Sequence, residues 1–194
     1  MGRKLEFCRE KALHTAMESF WAQGYESTSM RDLAHKLGLH LGSVYNALGD
    51  KEKVFEAALK LNFEEQVLPR MKTLQEAPDP LKAIGDMMTC VVDECTGVTP
   101  GPGCFLVNSL LEVAHINDNI TKHMHGYLAQ IETMMTNCVE RAQKMGQIKP
   151  NRDARHVAQF IMSVGFNLRV MAKLKMPAAM IRNIRDEAFA SLSA

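Results

Sequence analysis

The chain has 194 residues, 46% of them hydrophobic, with 23 basic and 22 acidic side chains and a formal net charge of +1. That hydrophobic share excludes a disordered chain, and the length suits one small unit plus one larger one with a real core. Near-neutrality excludes binding to polyanions by bulk charge, so any nucleic-acid surface must be local and carried by a motif.

Helical spacing dominates the chain and strand alternation is scarce. A first helix fits Leu5 to Gln23, with Cys8, Ala12, Ala16 and Phe20 recurring every four residues and Leu13, Met17 and Trp21 beside them. Gly24 ends it. Ser27, Thr28 and Ser29 offer caps for a second helix, Met30 to Leu37, with Asp32 in the first turn where the helix dipole favours a carboxylate. Gly38 breaks the chain, and a short third helix fits His40 to Leu48. Asp50 caps a fourth, expected to run to about Leu68, where Pro69 follows. A fifth spans Leu81 to Cys95, with Leu81, Ile84, Met88, Val91 and Cys95 on one face. Thr96 to Gly103 reads TGVTPGPG, whose two prolines and three glycines forbid regular structure. A sixth helix starts near Cys104 and fades around His115. Asn117 and Asp118 can cap a long seventh to Met145, with the stripe Ile120, Met124, Tyr127, Ile131, Met134 and Cys138. An eighth fits Asp153 to Lys175, and Pro177 opens a ninth. The expectation is an all-α chain of about nine helices. A three-helix head, residues 1–50, precedes a helical body, residues 51–194.

The five cysteines, Cys8, Cys90, Cys95, Cys104 and Cys138, are odd in number and contain no Cys-x-x-Cys pair. This excludes a disulfide framework and a zinc-finger spacing, and reads as free thiols in a reducing cytoplasm. Met1 to Glu10 lacks the apolar run of a signal peptide, and Glu6 stands where a myristoylation signal needs Ser or Thr. The apolar stretch Phe160 to Met176 is broken by Asn167, Arg169, Lys173 and Lys175, so no membrane span is expected. His123 and His125 sit two apart and point to different helix faces, so no metal is expected. Gly-x-Ser-x-Gly, a phosphate loop, a dinucleotide fingerprint and His-Glu-x-x-His are all missing, so the chain does not read as an enzyme.

Residues about 29–48 meet the steric demands of a helix-turn-helix. Ala34 is small where the second helix crosses, Gly38 accepts a left-handed turn, and Val44 plugs the shared core with Leu33, Leu37 and Leu48. An ordinary αα-corner would satisfy that spacing too. The flanks narrow the choice. Gly24 to Phe55 reads GYESTSMRDLAHKLGLHLGSVYNALGDKEKVF. Gly24-Tyr25, Thr28, Leu33-Ala34, Gly38, Gly42-Ser43-Val44-Tyr45 and Lys51-Glu52 resemble, in register, the DNA-binding head of the TetR/AcrR family.

This resemblance implies a sequence-specific transcriptional regulator, a repressor, that binds palindromic operator half-sites on double-stranded DNA. Thr28, Ser29, Tyr45 and Lys51 would contact phosphates. His40, Leu41, Ser43 and Asn46 would face bases, Gly42 would let the backbone approach the groove, and Arg31 could reach base or phosphate. Leu41 stands where many relatives carry Lys or Arg, and Leu48 where Phe is usual. The resemblance also implies a homodimer through the eighth and ninth helices, because two recognition helices must lie about 34–36 Å apart to enter successive major grooves. Gly165 and Ala172, with Val157, Ile161, Val164 and Leu168, would make that seam, extended by Ala188 and Leu192.

A pocket for a small apolar or electrophilic effector is implied in the body. Its candidate lining is Met88, Val91, Cys104, Phe105, Asn108, Met124, Tyr127, Met134, Phe166 and Arg169. The chain's 14 methionines suit an adaptable pocket and equally an ordinary core. Gly103 to Glu112, GCFLVNSLLE, resembles a subgroup of the family with Gly-Cys-x-x-x-Asn at this helix start, some members of which respond to electrophiles or oxidants through that Cys. Cys104 is therefore a candidate sensor, and a buried packing thiol is the alternative. The competing reading of the whole chain is a small-molecule-binding bundle whose head no longer binds DNA, supported by Leu41 and the low net charge.

Overall fold

The computed structural model describes residues 8–97 and 103–193. The start of the expected first helix and most of TGVTPGPG lie outside these residues. Among the described residues the chain forms nine helical rods. Helix α1 is Arg9–Gln23, α2 is Met30–Leu37 and α3 is Leu41–Leu48. The α4 rod runs from Lys51–Asn62 through a π-helical turn, Phe63–Val67, into Leu68–Glu76. Then follow α5 (Pro80–Thr96), α6 (Phe105–Val113), α7 (Asp118–Lys144), α8 (Ala154–Lys173) and α9 (Ala178–Ala190).

The helix starts follow the expected capping chemistry. Asp50, Asp79, Asn117 and Asp153 each accept a backbone N–H three residues on. Ser29 and Asp32 form a reciprocal capping box. Helix α2 ends at Gly38 with φ 64°: Gly38 N–H donates to His35 O and Leu39 N–H to Ala34 O. That pair of bonds needs a left-handed residue, which glycine supplies without penalty.

The α4 rod differs from expectation. It does not stop before Pro69. Proline lacks an N–H and its ring crowds the carbonyl four residues back. The chain absorbs this by widening one turn: Leu68 N–H donates to Phe63 O, five residues back, and the helix resumes. The rod thus continues from the head into the body.

Two apolar cores divide the molecule. The first joins α1, α2, α3 and the first half of α4 to α6 and the start of α7, around Phe20, Leu33, Val44, Phe55, Phe105 and Met124. The second joins the rest of α4 and α7 to α5, α8 and α9, around Ile84, Met88, Met135, Ile161 and Leu168. Ile131 packs against both. In α1, Cys8 is exposed and leaves the predicted stripe, while Leu13 and Met17 join Ala12, Ala16 and Phe20 in the core. In α5, Leu81 and Cys95 are half-buried, and Val92 is buried beside Ile84, Met88 and Val91.

Candidate nucleic-acid interface

The head is a helix-turn-helix built on the packing the sequence demanded. Ala34 is buried where α3 crosses α2, and Val44 is fully buried between them, with Leu33 and Leu48 closing the core. Since Val44 and Leu48 turn inward, the other faces of α3 turn outward. His40, Gly42, Ser43, Tyr45 and Asn46 are all exposed, and a side chain at Gly42 would meet nothing within 4 Å. A short helix thus presents a polar face on a rigid, capped support. That combination can enter a major groove and offer hydrogen-bond partners to base edges.

The phosphate candidates fare differently. Ser29 is exposed at the start of α2, and its hydroxyl accepts the Asp32 N–H while Asp32 accepts the Ser29 N–H. These bonds to Ser29 hold the Asp32 carboxyl below the usual range, so it is ionised at neutral pH. Arg31, exposed one residue before Asp32, supplies the opposite charge at this helix start. Thr28 is a correction. It is fully buried and its hydroxyl donates inward to Gly24 O at 2.8 Å, so it secures the turn and does not face a phosphate. Leu41 is half-buried: it packs on the head core and keeps part of its side chain outside. Lys51 is half-buried, with its ammonium 4.5 Å over the Tyr25 ring and 3.2 Å from Glu26 O. Two of the three ammonium donors can still point outward.

The predicted body residues are not gathered in one place. Phe105 and Met124 are buried in the head-side core, with Cys104 and Tyr127 at its edge; Tyr127 stacks on Phe63 at 4.5 Å. Met88 and Val91 are buried in the second core, with Met134 against it. These seven positions divide between the two cores. Asn108 accepts from Lys173 Nζ at 3.3 Å, and Arg169 donates to Gly165 O on its own helix. A groove of about 320 Å³ between α7 and α8 is lined by Leu128, Met162 and Phe166 with polar neighbours. Phe166 alone of the ten candidates lines it. Burial pushes the thiols of Cys90 and Cys95 up, and that of Cys138 up to about 11. Cys104 is half-buried at the N-cap of α6. Among the described residues no cluster of three or more His, Cys, Asp or Glu is placed to hold a metal, and no helix is long and apolar enough to cross a membrane.

Of the expected dimer seam, Val157, Ile161, Val164, Leu168, Ala188 and Leu192 are buried within the protomer's own core, while Gly165 and Ala172 are half-buried. The apolar residues that α8, α9 and their connection leave outside are Phe160, Leu174, Met176 and Met180.

Sequence reasoning missed the residues that fix the head on the body. Glu112 on α6 accepts the Tyr25 and Glu26 N–H groups at 2.9 and 2.8 Å, and Trp21 Nε1 donates to Gly103 O at 2.8 Å. No local pattern announces contacts between residues more than 80 apart.

A capped helix-turn-helix with an exposed reading helix, carried on a helical body, defines a DNA-binding transcriptional regulator. Residues 12–58 match the family "Bacterial regulatory proteins, tetR family", and residues 80–187 match "Tetracyclin repressor-like, C-terminal domain". The chain belongs to the TetR family of transcriptional regulators. It is 29% identical to the uncharacterized HTH-type transcriptional regulator YezE of Bacillus subtilis (strain 168), across all of this chain and 98% of that protein. It is 26% identical to the HTH-type transcriptional repressor ComR of Escherichia coli (strain K12), over 89% of this chain and 82% of ComR. A cysteine mutant of the TetR family transcriptional regulator CifR, solved with 26-base-pair operator DNA, superposes with a TM-score of 0.84 at 25% identity, over 97% of this chain and 98% of that one. All three of these relatives bear the names of transcriptional regulators.

Proposed function

We propose that the protein is a cytoplasmic homodimeric repressor released from a palindromic operator by a small effector. The observation that carries this reading is the polar outer face of α3, with His40, Ser43, Tyr45 and Asn46 exposed opposite the buried Val44 and Leu48. In this reading residues 1–50 are the DNA-binding head and 51–194 the effector and dimerisation body. His40, Ser43 and Asn46 read bases. Ser29, Arg31, Tyr45 and Lys51 grip phosphates. The repressor name of ComR and the operator complex of CifR support it. The outward residues Phe160, Leu174, Met176 and Met180 supply the dimer face, since a lone recognition helix spans too few base pairs. A gel shift with DNA upstream of the protein's own gene tests the reading. A complex that competes poorly with scrambled duplex and weakens steeply with salt is expected. Binding that ignores sequence would leave the effector-binding bundle as the better account.

Release is assigned to the start of α6. Cys104 sits half-buried at the N-cap of α6, and the stretch it opens resembles the family subgroup with Gly-Cys-x-x-x-Asn at this position. Burial raises the thiols of Cys95 and Cys138, and exposed Cys90 is raised by partial desolvation and the adjacent Glu94 carboxylate, so none of the three is favoured as a nucleophile. A Cys104→Ser variant should keep its operator complex and lose release by an electrophile such as N-ethylmaleimide. Full release of that variant in a gel shift would remove Cys104 as the switch.

A further inference from the structure

The turn between α1 and α2 presents two consecutive backbone amides, at Tyr25 and Glu26, to a single side chain of the body. The Glu112 carboxylate takes one on each oxygen, at 2.9 and 2.8 Å. Charge-assisted bonds to two oxygens fix both position and tilt, as one bond could not. The seat is built for it. Gly24 has φ 89°, and a side chain there would come within 2.8 Å of the Glu112 carboxylate. The opposite side of the same turn is held by Lys51, through Glu26 O and the Tyr25 ring. Thr28 ties the turn to the start of α2 through Gly24 O. Whatever moves Glu112 therefore moves the base of the helix-turn-helix.

Helix α6 is secured at its other end as well. Trp21 Nε1 bonds Gly103 O beside Cys104, and the Trp21 and Phe105 rings lie 6.1 Å apart. From Cys104 to Glu112 the helix is a strut about 12 Å long at 1.5 Å per residue, joined to the head at both ends.

We infer that Glu112 is a positioning residue for operator binding: its carboxylate sets the angle at which the body presents α2 and α3 to DNA. It touches no base or phosphate. It acts by holding two heads at a fixed mutual tilt, so that the second head enters its groove without further ordering. This rests on the repressor reading above.

The test uses the full-length protein and a duplex that the wild type selects from a random-sequence pool. Glu112→Ala should weaken that complex about tenfold or more, while affinity for a scrambled duplex of equal length stays within about twofold, because every phosphate-facing residue is intact. Amide exchange at Tyr25 and Glu26 should accelerate. Glu112→Gln is nearly isosteric and keeps one acceptor, so it should fall between the two with an unchanged melting temperature. The inference is overturned if the Ala variant binds the selected duplex as the wild type does. It is equally overturned if both duplexes weaken in parallel with the melting temperature, which would mark Glu112 as support for the fold alone. If the Ala variant does not fold, the Gln variant decides, and wild-type affinity in it overturns the inference. Failure of the wild type to select any duplex sinks the repressor reading itself, a result distinct from these.

Discussion

Lys51 is shared between the head's own turn and the space outside it, since its ammonium covers the Tyr25 ring and reaches Glu26 O while the side chain stays half-exposed. Removing it should cost phosphate neutralisation without touching the base-facing residues. Lys51→Ala is expected to weaken operator and scrambled duplex alike, and to flatten the slope of log affinity against log salt by about 0.9 per protomer. Titrations between 50 and 200 mM salt, a range chosen because such slopes are steep there, read this directly. At this scale the sequence was informative wherever a residue acts on its near neighbours. The Ser29–Asp32 pairing and the left-handed Gly38 follow from spacing alone. The hydroxyl of Thr28 was misread because two caps stand side by side, and which one turns inward depends on the carbonyl of Gly24 behind it. Leu41 is divided, because one apolar residue on a short helix can serve the core and the groove, and here it packs on the core while staying partly exposed.

Helix starts carry most of the pH sensitivity. Asp32, Asp79 and Asp153 all have carboxyls held below the ordinary range: Asp32 by the Ser29 side chain and amide, Asp79 first by the Lys82 amide, Asp153 first by the His156 amide. Glu132 is lowered likewise, first by its bond to Arg155. Each is more acidic folded than unfolded, so the unfolded chain takes up protons first as pH falls. The stabilisation is complete above the unfolded values, near 4, and is lost as pH drops through the folded ones. The melting temperature should therefore vary little from these groups between pH 7 and about 5, and fall below about pH 4. Asp79→Asn with Asp153→Asn should shallow that fall, and an unaltered acid limb in calorimetry would contradict it. Element types and caps were legible because periodicity and capping are local. The end of α4 was not, because proline's usual effect was overridden by a widened turn whose Phe63 is anchored on Tyr127.

Across the whole molecule, two cores share one continuous rod, and the outer face of α8 and α9 is left with Phe160, Leu174, Met176 and Met180 in contact with nothing in the protomer that buries them. In the repressor reading this face is where a second copy sits. Phe160→Glu places a charge there without entering the core, since Phe160 is already 39% exposed. Sedimentation velocity should show a shift towards monomer, and operator affinity should drop with it; a stable dimer would place the seam elsewhere. A helical wheel shows one apolar stripe per helix, and in α8 that stripe, Val157 to Leu168, serves the protomer's own interior. The mixed remainder carries no such signature, so Phe160, Leu174, Met176 and Met180 do not stand out in the sequence. The same holds for the buried apolar effector candidates, which divide between two interiors: Phe105 and Met124 in one, Met88 and Val91 in the other.

The widened turn at Phe63–Val67 gives the rod a property that substitution would not reveal. One surplus residue there is taken up by the wider winding, so the half that packs on the head and the half that packs on the body keep about the phase an unbroken helix would give them. Exchanging exposed Gln66 for another polar residue should leave the protein intact. Deleting it should let the turn revert to regular winding, with one half rotated against the other by only about 10°. Both interiors then stay nearly in phase, so a single-codon deletion should cost far less stability here than in a regular stretch of the same rod, as thermal denaturation would show. The rod carries one slack turn, the place along its length where a dropped letter can be forgiven.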